Sequence, residues 1–369
     1  MHMREGIKTT KVISIGRRLF LGSILGAAVL ATGMTVGFSQ QVHASPRILT
    51  FSDHQPADRM RTRFLRDVLF PLIEAESNGR LKIEDHWDGE LAQAYDALGA
   101  LSSGAVDMAT TVPEYTAKEM PLHQIFKSFI VGPKDDQQIA FFRRVYDEVP
   151  VFTKELADNN IVPIFFGTGY PVAFYSTEPL SDLSGIAGQK WRSASFWHLD
   201  FLKNAGATPV RVHWGPEVYE AMKSGELDGL MVNVDSGYFL NAHDVAPNIL
   251  VSYDLWLGHV YPLTMNKDVW DSLDTEYQDA IHRAAAKSYE TLGKVMTQSF
   301  DDQISKLREA GANVRMLDTS EVDAFAKATR YQDVQAAWVA EQEANGNKRA
   351  GAVMGEVTAI MNDFLPVRN

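Results

Sequence analysis

One eight-residue pattern occurs twice in this chain. Ala100-Leu101-Ser102-Ser103-Gly104-Ala105-Val106-Asp107 and Ala221-Met222-Lys223-Ser224-Gly225-Glu226-Leu227-Asp228 share a helix end, a Ser-Gly turn, one variable residue, an aliphatic residue and an aspartate. Glycine is expected just past a helix because it enters the left-handed conformation with no Cβ to clash. Each copy runs into a β-rich stretch, residues 108–112 and 230–234. The chain therefore predicts the same helix-to-strand corner in each of two lobes. At such corners Asp107 and Asp228 read as turn residues whose carboxylates accept local backbone N–H groups, not as a catalytic acid pair.

Around these corners short β-rich runs alternate with amphipathic helical windows, the mark of an α/β protein. Strands are expected at 47–51, 81–84, 161–166 and 172–176, in a run ending at Arg192, and at 208–212 and 260–264. Between 57 and 77, Phe64, Leu65, Val68, Leu69, Leu72 and Ile73 share one helical face. Pro71 should kink that helix and Asn78-Gly79 should end it. A helix near 94–101 follows the second strand. From Thr275, apolar residues recur at helical spacing through Leu307, with Gly311 as the stop. About 36 residues at 1.5 Å each reach about 54 Å, long enough to brace both lobes. Residues 320–344 and 350–364 read as further helices, which makes the C-terminal third almost wholly helical.

The domain plan that follows is a leader over 1–44, the first part of lobe I over 45–166, an inserted lobe II over 167–255, a return strand to lobe I within 256–275, and the long and C-terminal helices over 276–369. Insertion of one lobe into the other implies at least two hinge strands.

The leader is chemically distinct. Arg4, Lys8, Lys11, Arg17 and Arg18 make a basic region, residues 19–38 are apolar and small, and Val42-His43-Ala44 suits a signal peptidase. Export to the periplasm with cleavage after Ala44 is expected. Gly16-Arg17-Arg18-Leu19-Phe20-Leu21 resembles a twin-arginine motif, so the export route stays open between that and ordinary secretion. No later stretch suits a bilayer span, so the mature chain is expected to carry no membrane anchor. The absence of cysteine excludes disulfides, thiol chemistry and a lipidated cysteine. Without residues 1–44 the chain keeps 30 basic and 46 acidic residues, a net charge of −16. That balance disfavours nucleic acid, whose binders need a clustered positive surface.

The stretch 181–229 carries the chemistry. Gly188-Gln189-Lys190-Trp191-Arg192 places one arginine at a strand end, with no nucleophile or metal cluster beside it. A guanidinium is a permanent cation whose planar fork of donors fits a carboxylate. The residue types suggest capture of a small acid rather than chemistry on it; a structural salt bridge within the lobe is the other reading of Arg192.

Several motifs recur in the order of a known family. Glu74 to Leu81 fits "E-x-x-S/T-x-G-R-L", Gly89-Glu90-Leu91 fits the turn after the second strand, and Gly104 to Asp107 fits a "G-x-x-D" corner. Pro179-Leu180-Ser181-Asp182-Leu183 leads into the Arg192 strand as in "L-x-G-x-K-x-R". Glu217 to Gly229 matches "E-x-Y-x-A-L-x-x-G-x-x-D-G". Over its whole mature length the chain resembles the DctP-type solute-binding proteins of tripartite ATP-independent periplasmic (TRAP) transporters. The resemblance implies a two-lobed, periplasmic-binding-protein-like α/β fold with hinge strands and a long helix spanning both lobes. It further implies delivery of the ligand to a membrane permease of one small and one large subunit, with no cofactor and no catalysis. Arg192 stands where the family pairs an arginine with the ligand carboxylate. Asn233 is the nearest match to an assisting asparagine, one residue off the expected spacing. A second arginine found in many relatives is missing from Tyr170-Pro171-Val172-Ala173-Phe174-Tyr175, which favours a monocarboxylate over a dicarboxylate.

Other candidates are weighed against ordinary structural roles. Asn233 is equally explained as a cap of the helix starting near Ser236. Trp87, Tyr115, Tyr170, Phe174, Trp197, Trp214, Tyr238 and Trp256 lie near strand ends or loops. Singly each suits the core; together they suggest a flat-walled apolar cavity, with Tyr115, Tyr170, Trp197, Trp214 and Tyr238 taken as candidates for its walls. Glu90 and His54 follow strands and are candidates for ligand contact, against solvated-turn and backbone-satisfying roles. Neither a Gly-x-Ser-x-Gly elbow nor a His-Glu-x-x-His motif is present, which leaves an exported hydrolase without machinery. A periplasmic sensor module for a membrane receptor has the same sequence requirements as a carrier.

Overall fold

In a computed structural model of the chain, residues 45–256 and 258–365 are described. The expected leader and its cleavage site after Ala44 lie outside them. Eleven strands follow in chain order: β1 Arg47–Ser52, β2 Leu81–His86, β3 Met108–Thr110, β4 Ile161–Thr168, β5 Val172–Ser176, β6 Lys190–Arg192, β7 Thr208–Val210, β8 Gly229–Asn233, β9 Asn248–Val251, β10 Val260–Asn266 and β11 Asn313–Met316. They form two sheets, ordered β2-β1-β3-β10-β4 and β11-β9-β5-β8-β6-β7, the centres of two α/β lobes.

The two sheets repeat one plan. β1 runs parallel to β2 and β3, and β10 runs antiparallel to β3 and β4. In the second sheet β6 runs parallel to β7 and β8, and β5 runs antiparallel to β8 and β9. The duplicated sequence pattern sits at the same place in each. Gly104 and Gly225 adopt φ of +76° and +78°, ending the helices Ala97–Ser102 and Pro216–Ser224. The aspartates bond to a neighbouring strand, not to their own turn as expected. The Asp107 carboxylate accepts the Thr50 N–H at 2.8 Å, while the Asp107 N–H donates to the Thr50 carbonyl at 3.1 Å. Asp228 does the same with Lys190, at 2.7 and 2.8 Å. Each aspartate thus ties the strand it begins to the parallel strand beside it.

The chain passes between sheets three times: at residues 169–171, between β9 and β10, and between β10 and β11. Residues 260–264, expected as a strand returning to lobe I, lie in β10, which enters the first sheet between β3 and β4. The helix expected over 57–77 is continuous from Met60 to Glu76, with a π-helical turn over Leu65–Leu69. Pro71 explains it: proline has no N–H to give the carbonyl four residues back and clashes with it, so the wider turn absorbs the misfit. Asn78 and Gly79, at φ of +53° and +75°, end the helix.

The 35-residue helix Thr275–Glu309 spans about 52 Å. Toward its N-terminal end the Tyr289 hydroxyl accepts the Phe166 N–H of β4 at 2.8 Å. Further along, Ser299 bonds the Tyr170 hydroxyl, and Asp301 accepts from Tyr253 at 2.6 Å. One helix therefore holds the first sheet and the first two crossings, and itself lies on the third. The C-terminal third is almost wholly helical, as expected, apart from one short strand: past Gly311, β11 joins the second sheet alongside β9. A four-residue strand with only half-buried apolar residues leaves too little periodicity to notice.

Candidate functional site

A cavity of about 240 Å³ lies where strand ends of the two sheets meet. In parallel sheets the carboxyl ends of strands are where ligands bind, since loops there are free to vary over a fixed frame. His54, Arg59 and Arg61 follow β1, Glu114 and Tyr115 follow β3, Trp214 follows β7, and Asn233 and Asp235 end and follow β8.

Arg192 ends β6, is 1% exposed and lines this cavity. Its Nε and Nη2 donate to the Val212 carbonyl at 3.1 and 3.0 Å, and its guanidinium carbon lies 5.3 Å from the Trp214 ring centre. Nη1 is buried and has no hydrogen-bond partner among the described residues. No carboxylate there lies within ion-pair distance of it, so the salt-bridge alternative finds no partner. Burial pulls its pKa below the usual guanidinium value, against the opposing pull of the Glu114 carboxylate. A guanidinium so placed keeps its charge and lacks its counter-charge.

Two other ionic groups of the cavity, Arg61 and Glu114, are already balanced. Arg61 holds Asp53 through contacts of 2.5 and 3.1 Å and donates to Thr110 at 3.0 Å. Burial alone would raise the Asp53 carboxyl; Arg61 outweighs it and holds the group below its usual value. Glu114 lies 2.7 Å from Lys127 Nζ and 3.4 Å from His259 Nε2. Against its burial, those neighbours hold its carboxyl well below the usual range. His54, His198 and His259 are pulled below the ordinary histidine value, chiefly by burial.

Of the nine residues singled out in the sequence, Arg192, Asn233, Trp214, Tyr170, Tyr115 and His54 line the cavity. Asn233 occupies the N-cap position of the helix Val234–Phe239 but its side chain caps nothing there; it donates to the Tyr170 carbonyl at 2.6 Å. That bond ties the end of β8 to the crossing between β4 and β5. Gly169 makes room for it, since a Cβ there would stand 2.7 Å from Asn233 Nδ2. Tyr115 packs on the exposed Tyr95 at 4.4 Å between ring centres.

Three candidates lie elsewhere. Glu90 is exposed and sits 3.1 Å from the His86 ring. Trp197 is fully buried between Phe196 and Trp338, a core residue. Tyr238 stacks on His243 with ring centres 5.3 Å apart. Arg59, Arg61, Glu114, Asp235, Phe239, His259 and Tyr261 were not anticipated. Glu114 and Asp235 follow strand ends within four residues and Arg59 and Arg61 follow β1 within nine, a signal available once the sheets are known. His259 and Tyr261 enter from the antiparallel β10, which that rule does not reach.

Known proteins share this architecture. The C4-dicarboxylate-binding periplasmic protein DctP of Rhodobacter capsulatus is 25% identical over 299 residues, covering 78% of this chain and 85% of that protein. The ectoine/5-hydroxyectoine-binding periplasmic protein UehA of Ruegeria pomeroyi is 24% identical over 243 residues, 64% of this chain and 69% of its own. A solved TRAP solute-binding protein from an unidentified marine microbe, specific for aromatic acid ligands and holding 3-hydroxybenzoate, has the same fold. Its TM-score is 0.75 at 18% identity, over 88% of this chain and 100% of that one. Residues 51–337 match the family model of bacterial extracellular solute-binding protein, family 7 (DctP). With the match running from β1 into the C-terminal helices, the chain belongs to the bacterial extracellular solute-binding proteins of family 7, binding proteins of transport systems rather than enzymes.

Proposed function

We propose that this protein captures a small monocarboxylate between its lobes in the periplasm and presents it to a TRAP-type permease of a small and a large membrane subunit. The observation that carries the reading is the buried Nη1 of Arg192, which lines the cavity and lacks an acceptor. A ligand carboxylate supplies both the missing hydrogen bond and the missing charge. Trp214, Tyr115, Tyr170 and Tyr261 give the cavity aromatic faces that suit a ring. A second carboxylate finds poor support: Arg61 is committed to Asp53, and Glu114 and Asp235 would repel it. The relatives that bind aromatic acids and ectoine are consistent with one carboxylate on a compact ring. On this reading the leader is removed after Ala44, and residues 169–171 and 252–259 are where the lobes hinge.

The test is thermal unfolding of the exported protein against a panel of small organic acids. A ligand at 100 times its Kd stabilises the native state by about 2.7 kcal/mol, a rise of about 5 °C for a chain of this size. Arg192→Met should remove that rise while leaving the ligand-free transition in place. An unchanged rise in the variant refutes the assignment.

A further inference from the structure

The cavity holds a second ionic group without a counter-charge. Asp235 lies in the first turn of the helix Val234–Phe239, two residues beyond Asn233; it is half-buried and lines the cavity. Among the described residues no cation stands within ion-pair distance of its carboxylate. Its cationic neighbours are Arg59 and Arg61, and both are engaged. Arg61 forms the two-pronged pair with Asp53, and the Arg59 guanidinium lies 3.4 Å from the Phe239 ring centre and 3.6 Å from Asp58. Arg192 and Asp235 have different charged neighbours, Glu114 for the first and Arg59 and Arg61 for the second, so they mark different parts of the cavity.

An aspartate in a helix's first turn has an ordinary explanation, since backbone N–H groups and the helix dipole favour it. The N–H groups of Asp235 and Ser236 do act on it here. Burial nevertheless outweighs them and pushes the carboxyl up to about 6. Helix start and arginines together fail to replace the water it has lost.

We propose that the ligand carries a protonated nitrogen as well as its carboxylate, and that Asp235 is the residue that receives it. This rests on the assignment of the carboxylate to Arg192. A zwitterion cancels both unpaired charges at once, whereas a plain acid leaves Asp235 desolvated and a diacid sets a second anion beside it. Tyr170 and Tyr261 line the cavity with Asp235, and the Tyr261 ring already carries the Arg61 guanidinium, 4.9 Å from its centre. The groups facing Asp235 are Arg59, Arg61, Tyr170, Tyr175 and Tyr261, none of which changes charge between pH 5 and 8. Affinity for such a ligand therefore rises as the pH passes through about 6 and Asp235 ionises.

The experiment is calorimetric titration of the wild type, Asp235→Asn and Arg192→Met with two matched pairs. These are 3-(aminomethyl)benzoate against 3-methylbenzoate, and proline against cyclopentanecarboxylate, at pH 8 and pH 5. In the wild type at pH 8 the ammonium-bearing member of at least one pair should bind about tenfold tighter or more. That preference should shrink at pH 5, and Asp235→Asn should bring the members of the pair to equal affinity. Equal affinity in the wild type, a preference that survives Asp235→Asn, or no binding of either ammonium-bearing acid overturns the proposal. Arg192→Met separates the two ideas: losing both members of a pair supports the carboxylate assignment, and keeping both refutes it whatever Asp235 does. A ligand-free measurement adds a second readout. A carboxyl raised in the folded state costs stability as it ionises, so wild-type Tm should fall between pH 4 and 7 more than that of Asp235→Asn.

Discussion

Asp228→Ala removes one interaction whose consequences can be followed from corner to site. The Asp228 carboxylate accepts the Lys190 N–H at 2.7 Å, at the first residue of the three-residue strand that ends in Arg192. The backbone bond from the Asp228 N–H to the Lys190 carbonyl survives the substitution, so β6 keeps half of its tie at that position. A hydrogen bond to a charged acceptor contributes about 1.5–3 kcal/mol. Asp228 is half-buried and water can partly replace it, so the expected loss is about 2 kcal/mol. For a chain of this length that lowers Tm by about 3–5 °C, measured by circular dichroism. Asp228→Asn keeps an acceptor oxygen without the charge and should recover about half of the loss. The matching corner supplies the control: Asp107 makes the same two bonds to Thr50, so Asp107→Ala should cost the same to within about 0.5 kcal/mol. The corners lie in different sheets and share no partner, so the two losses should add in the double variant. Transitions within 1 °C of wild type, or losses at the two corners differing by more than about 2 kcal/mol, would show that the aspartates do not hold the strands together.

Two further outcomes follow from the geometry. Trp197→Ala empties a fully buried core position and should cost about 3–5 kcal/mol without touching the cavity, whereas Trp214→Ala should weaken acid binding while moving Tm little; the reverse pattern in paired unfolding and titration measurements would contradict the placement of both residues. Glu114→Gln removes the buried charge 2.7 Å from Lys127 and should cost about 3 kcal/mol near neutral pH by urea unfolding. Because its folded pKa is depressed, the stability Glu114 contributes is present above its usual value of 4.5 and lost as the pH falls below it, so the gap between wild type and variant should narrow in acid.

What the sequence reveals divides along physical lines. The repeated corner is legible because a left-handed glycine and a following aspartate are local demands, and both copies meet them through the same residues. The long helix is legible from its apolar spacing. Arg192 stands out because it ends a strand, where burying a guanidinium is costly without a partner. The aspartates' true partners are hidden, since Thr50 and Lys190 lie 57 and 38 residues away and only strand pairing brings them close. Trp197 and Trp214 follow neighbouring strands of one sheet, yet one faces the core and the other the cavity. The first sits inside the helix Phe196–Asn204, whose buried face points at Trp338, and the second precedes the helix Pro216–Ser224 in a loop. Residue type alone does not separate them. His259 and Tyr261 reach the cavity at the start of β10, a strand that returns to the first sheet after five strands of the second, a placement that depends on the whole topology.

On the proposed function, the unpaired guanidinium would also link binding to lobe closure. Arg192 comes from the second sheet, while Glu114, Tyr115 and His54 beside the cavity come from the first. On that reading, parting the lobes would let water reach Nη1, whereas bringing them together on an empty cavity would remove that water and offer no acceptor. Closing on a carboxylate replaces the water with a charged partner, so the ligand favours the closed form by the difference between the two. Moving a two-state equilibrium from 1:99 to 99:1 takes about 5.5 kcal/mol of differential affinity. One charge-assisted bond to Nη1 supplies about 1.5–3 kcal/mol of it. The remainder has to come from contacts made only when both lobes touch the ligand: the aromatic faces of Tyr115, Tyr170, Tyr261 and Trp214 and, on our reading, the counter-charge of Asp235. A very small acid satisfies Arg192 and leaves the rest of that sum unmet. On that reading, shape and the group opposite the carboxylate, rather than acidity, decide which solutes close the lobes.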